Sequence, residues 1–158
     1  MGPPRQVTEP PTRHVIDDRP AVADLIALRL AWKPASSDAE AAGLPEEFRT
    51  WWERNGASRR AWIVRGGDGI PIGMANAAIF ERMPVPGTGS ARWLYVANVF
   101  VLPENRRRGI AADLMNAIVQ WARAEGMVRI VLAPSEVSIP FYASLGFRAA
   151  DDLMRLDL

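Results

Sequence analysis

The chain has 158 residues, of which 49% are apolar, and its formal net charge is +1. This length and this apolar content predict one ordinary domain around a single core. A nearly neutral chain without interleaved basic and aromatic residues gives little support to a nucleic-acid partner, so we expect none. The sequence also has no apolar run long enough to span a bilayer and no signal-peptide core, so we expect a cytoplasmic protein with no membrane partner.

The chain has few residues that could ligate a metal or form a disulfide, and this limits the kinds of site that it can contain. The chain has no cysteine and a single histidine, His14. Disulfides, thiolate nucleophiles and histidine-rich or cysteine-rich metal sites are therefore excluded, and we expect no metal. His14 follows a proline-rich stretch, where an ordinary exposed or edge-strand histidine is more common than a catalytic one.

The N-terminal part of the chain predicts a leader and three elements. Residues 1–12 contain four prolines and are interpreted as a mobile leader, which leaves 13–158 as the single domain. A short strand is predicted at 14–16, and apolar residues at helical spacing predict a helix over 20–32. A second helix is predicted over 44–56, with Pro45 and Glu46 in its first turn.

The pattern then changes from helical to strand-like. Residues 61–65 and 71–80 read as a hairpin around a glycine-rich turn. The stretch 93–101 is apolar on both faces and is typical of a central strand. A strongly amphipathic helix follows at 109–125, and a buried strand is predicted at 128–133.

The C-terminal part predicts a short helix over 138–147 with a glycine cap and a last alternating strand over 153–158. The element order is then βααβββαβαβ, with no internal repeat. This order predicts an α/β fold: a mixed, mostly antiparallel central sheet that is flanked by helices and has one βαβ crossover at its centre.

The segment PENRRRGIAADLM, 103–115, places three arginines where a helix begins. The helix dipole already makes that end positive, so extra cations there indicate a negative ligand. A strand ending at Val101 and a helix starting at Gly109 would leave unpaired N–H groups at one spot, and the glycine would let a ligand approach the backbone closely. We interpret the turn as a pyrophosphate site; a solvated basic loop is the alternative that stays open.

Two motifs resemble the GCN5-related N-acetyltransferases (GNAT). That family's acetyl-CoA segment has the pattern Arg or Gln, two residues, Gly, one residue, then Gly or Ala, which VFVLPENRRRGIAADLM meets with Arg106, Gly109 and Ala111. PFYASLGF, 140–147, is similar to the second motif, an aromatic pair before Leu-Gly-Phe. The separation of the motifs and the element order are also similar, so the resemblance extends from about residue 13 to 158.

The resemblance implies an enzyme of the GNAT fold that transfers an acetyl group from the cosubstrate acetyl-CoA directly to a primary amine. It implies that the backbone of one strand binds the pantetheine arm at a splay, that the arginine-rich turn wraps the pyrophosphate, and that Tyr142 protonates the leaving thiolate as general acid. The implied cofactor-binding residues are Val99, Phe100, Val101, Arg106, Arg107, Arg108, Gly109, Ile110, Ala111, Ala112 and Ser135.

The sequence departs from the family pattern in two places. Ser135 stands where many relatives have asparagine, and the central strand lacks the glutamate that some members use as general base. A water chain held by Asn98 or by backbone carbonyls could remove the proton instead, or the amine could arrive neutral. Glu81 and Glu136 are more typical of solvated loop charges.

The acceptor side is the least specific part of the sequence. By the resemblance, residues 32–52 and 80–92 shape it, and the acceptor stays an unnamed amine. The spacing of Phe48, Trp51 and Trp52 favours core packing over ligand stacking. A catalytically silent acyl-CoA-binding or sensing domain is the alternative function, and a homodimer stays open.

Overall fold

The computed structural model describes residues 14–158, so the predicted leader at 1–12 lies outside the described residues. Short 3₁₀ turns at Gly56–Ser58, Pro103–Asn105 and Glu136–Ser138 join the main elements. In chain order these elements are β1 (Ile16–Asp17), α1 (Val22–Trp32), α2 (Asp38–Asn55), β2 (Arg59–Arg65), β3 (Pro71–Glu81), β4 (Arg92–Val101), α3 (Ile110–Ala124), β5 (Ile130–Leu132) and α4 (Ile139–Ser144).

The five strands form one sheet in the order β1-β2-β3-β4-β5. Neighbouring strands are antiparallel except β4 and β5, which are parallel and are joined by α3. The predicted mixed, mostly antiparallel sheet is confirmed. The predicted position of the crossover is wrong, because β5 is the last strand and the crossover therefore lies at the edge of the sheet.

The helices cover the two faces of the sheet and build two apolar clusters. Helix α3 packs on one face, with α4 beside it, and helices α1 and α2 pack on the other. The α3 cluster is Trp62, Val64, Ile72, Ala75, Ala77, Leu94, Val96, Val101, Ile110, Leu114, Met115, Ile118 and Ala122. The α1 cluster is Leu25, Leu28, Ala61, Ile63, Met74 and Phe100.

Helix α2 begins at Asp38, well before Pro45, so the predicted start of this helix is wrong. The Ser37 hydroxyl accepts a hydrogen bond from the Glu40 backbone N–H at 3.2 Å and caps the helix. The Glu40 carboxylate in turn accepts from the backbone N–H and the hydroxyl of Ser36, and these bonds lower the pKa of Glu40. This cap stabilises the earlier start although Pro45, which has no N–H, lies inside the helix.

Three strand predictions also need correction. The first strand is Ile16–Asp17 instead of 14–16. Strand β5 is shorter than 128–133 and only partly buried, because nothing among the described residues covers its outer edge. The last strand, predicted at 153–158, does not form: its residues are exposed and pair with no strand among residues 14–158. An alternating pattern becomes a strand only where a neighbour completes the hydrogen bonds.

Within residues 14–158 no helix is both long enough and apolar enough to cross a membrane.

The start of α3 rests on a glycine of the sheet. A Cβ at Gly73 would lie 3.0 Å from Ile110 Cγ2 and 3.3 Å from the Phe100 carbonyl oxygen. We predict that Gly73→Ala lowers the free energy of unfolding by about 1–2 kcal/mol, since overpacking outweighs the smaller gain in backbone entropy. Urea unfolding measures this change.

Gly43→Ala is the matched control. A Cβ at Gly43, inside α2, would meet nothing within 4 Å. This substitution should raise the free energy of unfolding by about 0.5–1 kcal/mol, because alanine favours a helix. Wild-type stability of Gly73→Ala would show that α3 does not sit as closely on β3 as the distances indicate.

Candidate functional site

The edge of β4 that faces β5 is open along its second half. Strand β5 pairs only with Leu94–Val96, whereas β4 continues to Val101. On the other side, Val96 pairs with Ala77 and Asn98 with Asn76, so Ala97 is a bulge. The backbone of Val99 to Val101 therefore has no strand partner on the β5 side within residues 14–158. An extended ligand can hydrogen-bond there like an added strand.

The turn before α3 presents backbone N–H groups to one point. Gly109 has φ 82° and Arg107 has φ 62°, a conformation that is uncommon for a residue other than glycine. Asp113 is the first helix residue whose N–H bonds to the Gly109 carbonyl, at 3.0 Å. The N–H groups of the three preceding residues, Ile110 to Ala112, therefore remain available, and together with the helix dipole they form an anion site.

A groove of about 720 Å³ joins the open edge of β4, the arginine turn, the start of α3 and helix α4. Its lining residues are Trp32, Val99, Phe100, Val101, Asn105, Arg106, Arg107, Gly109, Ile110, Ala111, Ala112, Ser138, Phe141, Tyr142, Ser144 and Leu145. Nearly all of the predicted cofactor-binding residues are therefore brought together with Tyr142 in one groove.

The three arginines of the turn have different positions. The Arg106 Nε donates to the Val101 carbonyl at 3.0 Å, and its guanidinium lies 6.0 Å from the centre of the Phe100 ring. Arg106 thus ties the turn to the end of β4. Arg107 also lines the groove, whereas Arg108 lines a neighbouring cavity of about 950 Å³.

Tyr142 is partly buried in α4, and burial raises the pKa of its phenol. Its ring makes edge contacts with Phe141 and Phe147, at centroid distances of 5.0 and 5.8 Å. These rings hold the phenol in the wall of the groove. A raised pKa keeps the hydroxyl protonated, which is the state that a general acid requires.

Ser135, the predicted substitute for the family asparagine, is exposed and does not line the groove. Its hydroxyl donates to the Ser138 hydroxyl at 3.0 Å, and the Ser138 hydroxyl donates to the Ser135 carbonyl at 2.8 Å. Ser138 does line the groove. Ser135 therefore contacts a lining residue and is not one itself.

The candidates for a base are placed as follows. Glu81 and Glu136 are exposed, and Glu81 accepts a hydrogen bond from Ser90. His14 lies away from Tyr142: its Nδ1 is 2.8 Å from Asp113 Oδ2, so it links the start of the chain to α3. Asn98 is partly buried on β4 beside the groove. No group of three or more His, Asp or Glu residues in the described chain could hold a metal.

Sequence reasoning did not predict five of the lining residues, Asn105, Ser138, Phe141, Ser144 and Leu145. It proposed Trp32 only as an acceptor contact, whereas the Trp32 ring stacks on Phe100, with centroids 5.5 Å apart, and lines the groove. Asn105 directly precedes the first arginine of the turn, so a search of the residues that flank the motif could find it. A motif search could find Ser138, because it directly precedes the helix that holds Tyr142.

The chain is similar in sequence to known acetyltransferases. The model of the acetyltransferase (GNAT) family matches residues 25–147. A glucosamine 6-phosphate N-acetyltransferase of Trypanosoma brucei is 39% identical over 64 residues, which are 40% of this chain and 44% of that enzyme. An aminoglycoside N(6')-acetyltransferase type 1 of Salmonella typhimurium is 30% identical over 98 residues, 60% of this chain and 67% of the relative. The chain thus spans less than half of the trypanosomal enzyme.

Solved structures agree with the fold. A Clostridium acetobutylicum protein, described as a predicted acetyltransferase and solved with acetyl-CoA, superposes with a TM-score of 0.67 at 20% identity. The superposition covers 90% of this chain and 96% of that one.

The glycine at the start of α3 gives a direct test of the anion site. Gly109→Ala should weaken acetyl-CoA binding by about tenfold, which is ~1.4 kcal/mol, because the turn is strained and a methyl group faces the ligand. Gly126→Ala is the matched control, since Gly126 ends α3 with φ 68° and, like Gly109, has open space around its Cβ position. Both variants should lose about 1–2 kcal/mol of stability.

Calorimetric titration with acetyl-CoA separates the two variants. Only Gly109→Ala should bind more weakly. If both variants bind acetyl-CoA as wild type does, the pyrophosphate does not contact this turn.

Proposed function

Because the chain belongs to the acetyltransferase (GNAT) family, we propose that it transfers an acetyl group from acetyl-CoA to the primary amine of an acceptor within one ternary complex. The observation that carries this proposal is the groove in which the open edge of β4, the N-terminus of α3 and Tyr142 meet. The two relatives named above act on an amino sugar phosphate and on aminoglycosides, which supports an amine as the acceptor.

The groove offers complementary groups to each part of acetyl-CoA. We propose that the N–H groups of Ile110 to Ala112 bind the pyrophosphate, with Arg106 and Arg107 adding positive charge. The backbone groups of Val99 to Val101 that face the open edge, apart from the Val101 carbonyl that accepts from Arg106, would bind the amides of the pantetheine arm. Such an arrangement would bring the thioester to the end of the groove near Tyr142.

The proposed reaction needs one proton donor and one proton sink. The acceptor nitrogen attacks the thioester carbonyl carbon, and the carbon–sulfur bond then breaks with its electron pair on sulfur. Tyr142 donates its hydroxyl proton to that sulfur, so that coenzyme A leaves as the thiol. The nitrogen loses its extra proton to water, which Asn98 can orient from the neighbouring strand position. Tyr142 regains a proton from solvent.

One observation favours the silent acyl-CoA-binding domain as a second candidate: among the described residues of β4 there is no carboxylate to act as base. A binding domain would retain acetyl-CoA affinity without turnover. An enzyme would release free thiol with at least one amine.

Acetyl-CoA should stabilise the folded protein more than coenzyme A does. At about 100 times its dissociation constant, the ligand adds roughly 2.7 kcal/mol to the free energy of unfolding. A thermal-shift titration measures this effect, and a free-thiol assay with a panel of primary amines measures turnover. No thermal response at millimolar acetyl-CoA would contradict the proposed site, and stabilisation without turnover by any amine would favour the silent domain.

Tyr142→Phe should lower turnover by ~10²–10⁴-fold and leave acetyl-CoA affinity nearly unchanged, because only the proton donor is removed. The raised pKa of Tyr142 means that activity is retained up to a higher pH than for an unperturbed phenol and declines above it. This alkaline decline should be absent in the variant. Steady-state kinetics against pH measures both effects, and wild-type turnover by the folded variant would make Tyr142 a packing residue.

A further inference from the structure

A polar patch lies on the α1–α2 face of the sheet, just beyond the groove. Asn76 of β3 is paired with Asn98 of β4, and its side chain is buried, with 9% exposed. Arg59 of β2 donates from Nη1 to Asn76 Oδ1 at 3.3 Å. The small Ala78 pairs with Arg59. We call Arg59, Asn76 and Asn98 the polar shelf.

The strand register places the polar shelf next to the reacting end of the groove. Asn98 and Phe100 are two residues apart on β4, so their side chains lie on the same face, about 7 Å apart along the strand. Phe100 lines the groove and pairs with Met74 of the α1 cluster. A molecule on the shelf would therefore reach the groove from the α1–α2 side.

The charge of Arg59 is not balanced by a carboxylate. Six arginines within residues 14–158 are partly buried, and four of them have a carboxylate oxygen within 4 Å. The paired ones are Arg60, Arg65, Arg92 and Arg129. Arg59 and Arg29 have none in the described part of the chain. Instead, each guanidinium lies against an indole ring, 4.8 Å from the centre of Trp51 for Arg59 and 5.3 Å from that of Trp32 for Arg29.

A partly buried cation that has only neutral partners can be stabilised further by a ligand that supplies a negative charge. Around Arg59 the strand residues on the same face of the sheet are Ala61, Asn76, Ala78, Tyr95 and Asn98, and none of them is acidic. The shelf thus combines one unneutralised guanidinium with two amides. Guanidinium binds phosphate and carboxylate strongly, and amides bind hydroxyl groups.

We propose that the polar shelf binds the acceptor and selects an amine that carries an anionic group, such as an amino sugar phosphate, over a polycationic amine. This inference rests on the proposed function. The anionic group would contact Arg59, while Asn76 and Asn98 hold neighbouring hydroxyl groups and direct the amine towards the groove. A polycation such as an aminoglycoside would be repelled by Arg59 at the same position.

Matched amines test the proposal with the full chain. Glucosamine 6-phosphate and glucosamine share one amine and differ by the phosphate, and kanamycin serves as the polycation. The value of kcat/KM should be about 10- to 100-fold higher for glucosamine 6-phosphate than for glucosamine, as expected for hydrogen bonds to a charged group. It should be lowest for kanamycin.

Arg59→Gln should remove most of the preference for the phosphate by raising KM for glucosamine 6-phosphate, while KM for acetyl-CoA stays near wild type. Arg54→Gln is the control, because Arg54 is exposed on α2 and its Nε only donates to Thr50 of its own helix. The control should keep the full preference. An unchanged preference in a folded Arg59→Gln variant would overturn the proposal.

A measurement on the wild type alone covers the case in which Arg59→Gln does not fold. Glucose 6-phosphate, which has no amine, should inhibit competitively against the amine and should not compete with acetyl-CoA. Competition with acetyl-CoA alone would place the phosphate at α3 and overturn the proposal. A preference for kanamycin would overturn this inference and leave the acetyltransferase proposal standing. If none of the amines tested causes thiol release, both proposals are overturned.

Discussion

The site depends on one interruption in the hydrogen bonding of the sheet: β4 continues beyond the point where β5 ends. A longer β5 would pair with Val99 to Val101 and leave them no free backbone groups. After Leu132 the chain reaches Pro134, which has no N–H to donate to a ladder. The proline that keeps β5 short, and so leaves the edge of β4 open, therefore lies just after β5 in the sequence.

The bulge at Ala97 decides which side chains face which helices. Before the bulge, Leu94 and Val96 belong to the cluster under α3. After it, Phe100 belongs to the cluster under α1, and Asn98 shares its face. In an uninterrupted strand Val96, Asn98 and Phe100 would all face the same way. The extra residue thus allows one strand to pack a core on one side and to present an amide on the other.

The two faces of the sheet differ in how firmly their helices are anchored. Helix α3 buries five side chains, whereas α2 buries none completely and packs through the partly buried rings of Phe48 and Trp52. Local opening costs less where fewer apolar contacts are lost. The proposed cosubstrate site therefore rests on the better anchored helix, and the polar shelf lies beside the helix that can adjust more easily to an acceptor.

Much of this arrangement could be predicted because it is local in sequence. The apolar period of α3, the glycine before it and the aromatic pair of α4 stand in short segments, and their interpretation did not require knowledge of the fold. The sequence interpretation misses the start of α2 because it takes Pro45 as a first-turn residue, although Ser37 and Glu40 have the spacing of a capping box. The last strand was predicted from alternation, which carries no information about the presence of a neighbour.

The polar shelf could not be predicted for a different reason. Arg59, Asn76 and Asn98 come from three strands, and their adjacency depends on the register of two pairings and on the side of a bulge. In an arginine-rich chain with a net charge of +1, the residue type alone does not distinguish Arg59 from its neighbour Arg60, which is paired with Asp18. The distinction appears only when the partners of each guanidinium are known, because a cation that a carboxylate already balances attracts an anionic ligand far less.

The same reasoning applies to the arginine turn. Arg106 is held by the Val101 carbonyl, which is neutral, so its charge remains available beside the N-terminus of α3. Positive charge that the fold leaves unbalanced thus occurs on both sides of the place where the thioester would lie, which fits a phosphate-bearing cosubstrate on one side and an anionic acceptor on the other.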